Sequence, residues 1–244
     1  VGFVDLSHFF QTPECRTFSY TKPLVIESGQ SPRELNRLDF KNWARTPPSV
    51  QERTVESLNA LAKRVDAMVL LEQVDEADTG VLAGGVLDAL GQIRRDNPDL
   101  LILADSRRGL GHFPSVGLKM NREEFAVLTG ETADLSLDDL CAAIGRLATD
   151  RGQPVFVTVS EEGIAGAKPG KAPEHVPCLP LQGEIDIVGA GDAVMANLAM
   201  ALAAGAEVVE AMRFAMAAAS VVVHQLGTTG TANLEEIRPL VCAH

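Results

Sequence analysis

Gly183-Glu184-Ile185-Asp186-Ile187-Val188-Gly189-Ala190-Gly191-Asp192-Ala193-Val194 joins a short apolar-edged run to a long, Ala-rich helical pattern through two glycines. Glycine at a helix entry lets backbone N–H groups approach a ligand closely. The first N–H groups of a helix also have no internal partner, so such a terminus is a ready anion site. Asp192 falls in the first turn, where the helix dipole stabilises its ionised form. A carboxylate beside a bound phosphate suits a base that takes a proton from an attacking hydroxyl. An aspartate in this position can equally be a simple cap. The Gly-x-Gly spacing also resembles the turn of a dinucleotide-binding unit, but that reading needs a following strand ending in Asp or Glu about 20 residues on. The chain beyond Asp192 reads instead as two helices, Ala193 to Ala204 and Glu207 to Leu226, and phosphate binding ranks above the dinucleotide reading.

Working outward, 244 residues with 46% hydrophobic content suffice for one large domain with a buried core. The formal net charge is −12, and basic residues cluster no further than Arg94-Arg95 and Arg107-Arg108. That argues against a nucleic-acid partner and against an anionic membrane surface. The longest uncharged apolar run, Ala193 to Ala206, is shorter than the roughly 18 residues of a membrane span and reads as a buried helix. Cys15, Cys141, Cys178 and Cys242 are scattered, as are the five histidines, so neither a zinc site nor a disulfide framework is indicated. With no secretory pattern at Val1 to Asp5, a cytoplasmic location is expected.

Before the central stretch the chain alternates. Val4 to Asp39 mixes β-formers with polar residues and, around Arg16 to Ile26, suggests an exposed hairpin or lid punctuated at Ser28 to Pro32. Glu34 to Pro48 reads as irregular, with Trp43 as a packing anchor. A helix at Ser49 to Val65 leads to the apolar run Ala67 to Leu71, expected to be a strand buried on both faces. A helix over Val81 to Arg95 and a strand at Leu100 to Asp105 come next. This β-α-β order implies a parallel sheet whose carboxyl ends, Asp105, Ser106 and Arg107 among them, collect ligands. Gly117 to Met120 reads as a strand, and Asn121 with Glu124 has the spacing of a capping box opening the next helix. A further helix, Asp138 to Asp150, precedes the strand Pro154 to Val159 and the turn Ser160 to Gly163.

In order and spacing, Asn121 to Glu124, Val157 to Gly163 and Asp186 to Asp192 resemble the later motifs of the ribokinase-like (PfkB) carbohydrate kinases. The resemblance implies a three-layer α/β/α fold with a mostly parallel central sheet and a small β lid, residues 1–40 supplying part of the lid and its connection and 41–244 the nucleotide-binding core. It implies Asp192 as catalytic base and the amides of Gly189, Ala190 and Gly191 as an anion hole. Asn121 and Glu124 would support Mg²⁺ through its waters, and Thr158, Ser160 and Gly163 would form the nucleotide segment. The helix Phe214 to Leu226 with Gly227, Ala218 included, would border the adenine. Asp186 and Val188 would hold a monovalent cation, K⁺ in many members. The expected activity is ATP-dependent phosphorylation of a sugar or sugar phosphate. Separately, the exposed hairpin Arg16 to Ile26 could pair edge to edge with a second copy, giving a homodimer through the lid. The run Ala217 to Val223 with Leu226-Gly227-Thr228 is most similar to the heptose-phosphate kinase subgroup, which suggests heptose 7-phosphate as acceptor. Three departures mark the sequence: Ile187 follows Asp186 where the family has threonine, Ser160 replaces a glycine, and the family's N-terminal sugar-binding region has no counterpart, so the chain is expected to begin inside the fold. These departures motivate an alternative, a catalytically weak nucleotide- or sugar-binding regulatory protein.

Overall fold

The computed structural model describes residues 4–30 and 33–242. Val1 to Phe3, the Ser31-Pro32 part of the expected lid turn, and Ala243-His244 lie outside the described residues. Four short strands come first: β1 (Ser19–Thr21), β2 (Leu24–Val25), β3 (Arg33–Glu34) and β4 (Leu38–Phe40). β1 pairs antiparallel with β4, and β2 with β3, so the small β unit is one long bent hairpin. It runs to Phe40, where the sequence suggested irregular chain after Glu34. The strands there are two or three residues long, too short for alternation to register as a pattern.

The core comprises α1 (Pro48–Leu61), β5 (Ala67–Glu72), α2 (Gly84–Asp96), β6 (Leu101–Ser106), β7 (Gly117–Asn121), α3 (Arg122–Thr129), α4 (Leu137–Arg151), β8 (Val155–Thr158), β9 (Ile164–Ala167), β10 (Glu174–Val176), α5 (Ala190–Ala203), α6 (Val208–Val223) and α7 (Leu234–Cys242). The sheet order is β10-β9-β8-β7-β6-β5. β5 to β8 are parallel, while β9 and β10 run antiparallel to their neighbours. Successive side chains on a strand point to opposite faces. Ile102, Ala104, Val155 and Val157 therefore enter the core shared with α2, α3 and α4, while Leu103 and Phe156 enter the one shared with α5 and α6. Both faces being covered explains why these strands are continuously apolar rather than alternating.

β5 departs from that expectation. It lies at the sheet edge, and Val69 is 40% exposed because the helices leave part of one face uncovered. α5 is likewise half-covered rather than enclosed: Val194, Met195, Leu198 and Ala199 are buried, whereas Met200 is exposed. Among the described residues no helix is long and apolar enough to cross a membrane.

Trp43 is no packing anchor. It is 77% exposed on the segment between β4 and α1, whereas Phe156 is fully buried. Trp43→Ala is expected to change unfolding free energy by no more than about 0.5 kcal/mol. Phe156→Ala should cost about 3–5 kcal/mol for the lost transfer energy and the cavity left behind. Urea denaturation of both variants checks the contrast, and a large loss in Trp43→Ala would contradict it.

Candidate active site

The period of the strands decides which polar groups meet. On β6, Asp105 shares a face with Leu101 and Leu103. On β7, Lys119 lies opposite in direction to Leu118 and Met120, beside Phe156 of β8. Both therefore lie on the α5 side of the sheet, at the carboxyl ends of their strands. Lys119 Nζ donates to Asp105 Oδ2 at 2.9 Å, and the lysine is 6% exposed. An ammonium taken this far from water is tolerable only with such a partner. Above it stands the first turn of α5: a Cβ added to Gly191 would sit 3.2 Å from Lys119 Nζ. Glycine at 191 is thus the residue that lets a helix N-terminus close down on a buried cation.

That terminus is bare. Gly189, the residue before α5, has φ 85° and no side-chain cap. A Cβ there would meet Thr229 Cγ2 at 2.8 Å, which adds a steric reason for glycine. The sequence suggested that Gly189, Ala190 and Gly191 supply the open amides. The Ala190 N–H in fact donates to Ile187 O at 3.1 Å. Among the described residues nothing accepts from the N–H groups of Gly189, Gly191 or Asp192. The Asp192 side chain is exposed and makes neither a capping bond nor an ion pair there, so the simple cap is not how it is used.

Asn121 and Glu124 form a complete capping box at α3. Asn121 Oδ1 accepts from the Glu124 N–H at 2.8 Å, and Glu124 Oε2 accepts from the Asn121 N–H at 2.8 Å. Glu124 Oε1 has no protein partner among the described residues. Burial pushes the Glu124 carboxyl above its usual range, and the negative charge of Asp105 adds to this, against the pull of the Asn121 N–H and of Lys119. A half-buried carboxylate with one uncommitted oxygen is hard-donor chemistry that suits Mg²⁺. No group of three or more metal-ligating side chains converges among the described residues.

The expected nucleotide segment adjoins this box, because Asn121 pairs with Thr158 across β7 and β8. Thr158 Oγ1 donates to Met120 O at 3.3 Å. Ser160 has φ 48°, a left-handed conformation in which glycine is at ease and serine is not. Its carbonyl accepts from Cys178 Sγ at 3.2 Å. Gly163 has φ 101°, and a Cβ there would overlap the backbone of Val176 to Cys178. Arg122, unremarked in the sequence, ties the turn down: Nη2 donates to Glu162 Oε2 at 2.8 Å and Nη1 to Leu135 O at 3.2 Å. A basic residue inside the Asn-x-x-Glu spacing and an acidic one in the turn were the available signal.

Asp186 links the glycine turn to the end of α6. Its Oδ1 accepts from the Val188 N–H at 3.0 Å and its Oδ2 from the Gly227 N–H at 3.3 Å, while its own N–H donates to Val223 O. Asp186, Val188 and Gly227 are therefore brought together, with the carboxylate engaged by amides. Ala218 is fully buried in a cluster with Ala217 and Ile237 and presents no open surface.

The raised pKa of Glu124 has a measurable sign. The folded protein holds that proton more tightly than the unfolded chain, whose group titrates near its ordinary value of 4.5. Ionising Glu124 therefore removes stability as pH rises from that value through the higher folded one. Glu124→Gln keeps the capping geometry and cannot titrate. Urea unfolding from about pH 4 to about pH 7 should show the unmodified protein losing stability relative to Glu124→Gln; a difference that is flat or rises with pH would contradict the assignment.

The sequence pattern of the pfkB family carbohydrate kinase matches residues 115–235. Among curated proteins, the bifunctional protein HldE of Bradyrhizobium sp. (strain ORS 278) is 30% identical over 205 residues, covering 84% of this chain and 41% of that protein. The HldE of Shewanella baltica (strain OS155 / ATCC BAA-1091) is 31% identical over 232 residues, covering 92% and 44%. The chain thus spans less than half the length of these curated relatives. Among solved structures, Arabidopsis thaliana ribokinase complexed with ribose and ATP superposes with a TM-score of 0.63 at 19% identity, over 90% of this chain and 70% of that one. Phosphofructokinase-2 from Escherichia coli in complex with potassium gives 0.63 at 18%, over 85% and 66%. Lys119, the Asn121–Glu124 box, the Ser160–Gly163 turn and the Gly189–Asp192 terminus all fall within the matched span, so the chain carries a pfkB carbohydrate kinase family domain on a ribokinase-like α/β/α fold.

Proposed function

We propose that this chain catalyses ATP-dependent phosphorylation of a hydroxyl on a sugar or sugar phosphate. The observation that carries the reading is the buried Lys119–Asp105 pair lying directly under the uncapped N-terminus of α5, with the free Asp192 carboxylate in the same turn. Asp192 takes the proton of the acceptor hydroxyl. The oxygen so freed bonds to the γ-phosphorus while the bond to the bridging oxygen breaks, and ADP leaves. The Gly191 and Asp192 amides and the Lys119 ammonium face the charge that develops on the transferring group. Mg²⁺, held through water by Asn121 and Glu124, would supply further neutralisation of the phosphates.

Heptose 7-phosphate is the first acceptor to try, on the resemblance of residues 217–228 to that subgroup. Arg107, exposed at the end of β6, is the side chain we assign to a phosphate on the acceptor. K⁺ near Asp186 and Val188 would act by ordering the glycine turn, and replacing it with Na⁺ tests this. Leu24, Ile26, Leu38 and Phe40 are exposed on the small β unit, which supports a homodimer formed through it. Four free cysteines are in keeping with a reducing, cytoplasmic setting. A regulatory protein with little phosphotransfer is the second reading, favoured by the exposed Ile187 in place of a hydroxyl and by the left-handed Ser160.

Asp192→Asn separates the two. With Mg²⁺, ATP and a panel of sugars and sugar phosphates, the unmodified protein is expected to turn over at least one acceptor. The variant should bind ADP about as well while kcat falls by about 10³ or more, the scale of losing both a base and a charge at the reaction centre. Near-normal turnover in the variant would remove Asp192 as the base. No turnover in the unmodified protein, with ADP bound, would favour the regulatory reading.

A further inference from the structure

A second buried carboxylate stands at the sheet edge, and the chemistry above makes no use of it. Glu72 is the last residue of β5 and is 3% exposed. Its Oε2 accepts from Ser106 Oγ at 2.5 Å, and its Oε1 accepts from Arg108 Nη2 at 3.2 Å and Nε at 3.4 Å. His112 Nε2 lies 3.0 Å from Oε2 but out of hydrogen-bonding alignment. The backbone joins in. Glu72 O accepts from the Arg107 N–H at 3.0 Å, and Gln73 O accepts from Tyr20 Oη at 2.6 Å. Tyr20 belongs to β1, and its ring is covered by the guanidinium of Arg37 at 4.9 Å and that of Arg107 at 5.1 Å. One dipeptide, Glu72-Gln73, thus ties together the lid, the end of the edge strand and the loop after Asp105.

A largely buried ion pair, with Glu72 out of water and the Arg108 side chain 25% exposed, is a poor way to stabilise a strand end. Its desolvation cost offsets most of its attraction, and apolar residues of similar volume often do as well or better. What it provides here is geometry. The guanidinium of Arg108 is gripped along its edge, Ser106 is pinned one residue beyond Asp105, and the intervening Arg107 is left exposed against the lid tyrosine.

We propose that Glu72 is a positioning residue for the acceptor side of the site, holding the Ser106–His112 loop and, through Gln73 and Tyr20, the lid in one fixed relation. The inference rests on the kinase reading for its consequence and on the contacts alone for the coupling itself. It predicts that loosening Glu72 frees the lid and weakens the acceptor while leaving ATP untouched.

Three variants of the protein test it: Glu72→Gln, Ser106→Ala and Tyr20→Phe, the last removing the bond to Gln73 O without altering Glu72. Each is first checked for cooperative thermal unfolding. Limited trypsin cleavage after Arg33 and Arg37 reads the lid directly and needs no activity. It should quicken about tenfold in each variant, the equivalent of about 1.4 kcal/mol. KM for the acceptor should rise by a similar factor, with KM for ATP changed by less than about twofold. Should Glu72→Gln fail to fold, Ser106→Ala and Tyr20→Phe decide the matter on the same criteria. Unchanged lid cleavage in folded variants would overturn the coupling. An equal rise in both KM values would reduce Glu72 to a structural role. If no acceptor is turned over by the unmodified protein, the kinase reading fails, and the cleavage rates still decide whether Glu72 couples lid and loop.

Discussion

The structure of the site depends on one ion pair. Lys119 sits inside a central strand, on the face covered by α5, where an unpaired ammonium would be prohibitive. Its partner must come from the neighbouring strand on the same face, and the parallel register of β6 and β7, with Leu103 opposite Gly117 and Ala104 opposite Leu118, brings Asp105 there. The pair in turn dictates what can lie above it. Only a residue without a side chain fits at 191 without pushing the lysine aside. The left-handed turn at Gly189 then aims the bare amides of the helix at the same point. Positive charge, open N–H donors and a free carboxylate meet because strand period, register and two glycines leave little alternative.

Around this centre the remaining parts are fastened alike on the proposed nucleotide and acceptor sides. The capping box of Asn121 and Glu124 is local, but the Arg122–Glu162 bridge and the Gly227 N–H on Asp186 join residues 40 and 41 apart in sequence. Tyr20 and Gln73, and Glu72 and Arg108, are joined over 53 and 36 residues. The small β unit has little core of its own, with strands of two or three residues and exposed apolar side chains. Its polar ties to the core include the Tyr20 bond to Gln73 and the Lys41–Asp75 pair just past β4, and so slight an anchorage marks it as a part of the molecule that opens at low cost.

The layered α/β fold was legible from Ala67–Leu71, Leu100–Asp105 and Pro154–Val159, because a parallel sheet covered on both faces leaves an unmistakable run of apolar residues. The glycine turn and the capping box were legible as well, since both are local and carry their own chemistry. What could not be read was anything set by tertiary partners. Trp43 looks like an anchor by composition and is in solvent. Val69 belongs to an apolar run and is part-exposed, because edge or centre is a property of the sheet and not of the strand. Ala190 was counted as an open donor, though a turn bond to Ile187 occupies its N–H. Asp105 was read at a strand end that collects ligands, but its pairing with Lys119 needed the register. Glu72 gave only the faint signal of an acidic residue closing an apolar strand.

The central claim is that the amides and the buried cation at the head of α5 receive a phosphoryl group on its way to a sugar hydroxyl. Phosphorus NMR of Mg·ATP incubated with the protein and a mixed panel of sugars and sugar phosphates tests it most directly. The account predicts that ADP and a new phosphate ester grow in equal amounts with no excess inorganic phosphate. ADP appearing with inorganic phosphate alone, or ATP left intact while ADP binds, would contradict it.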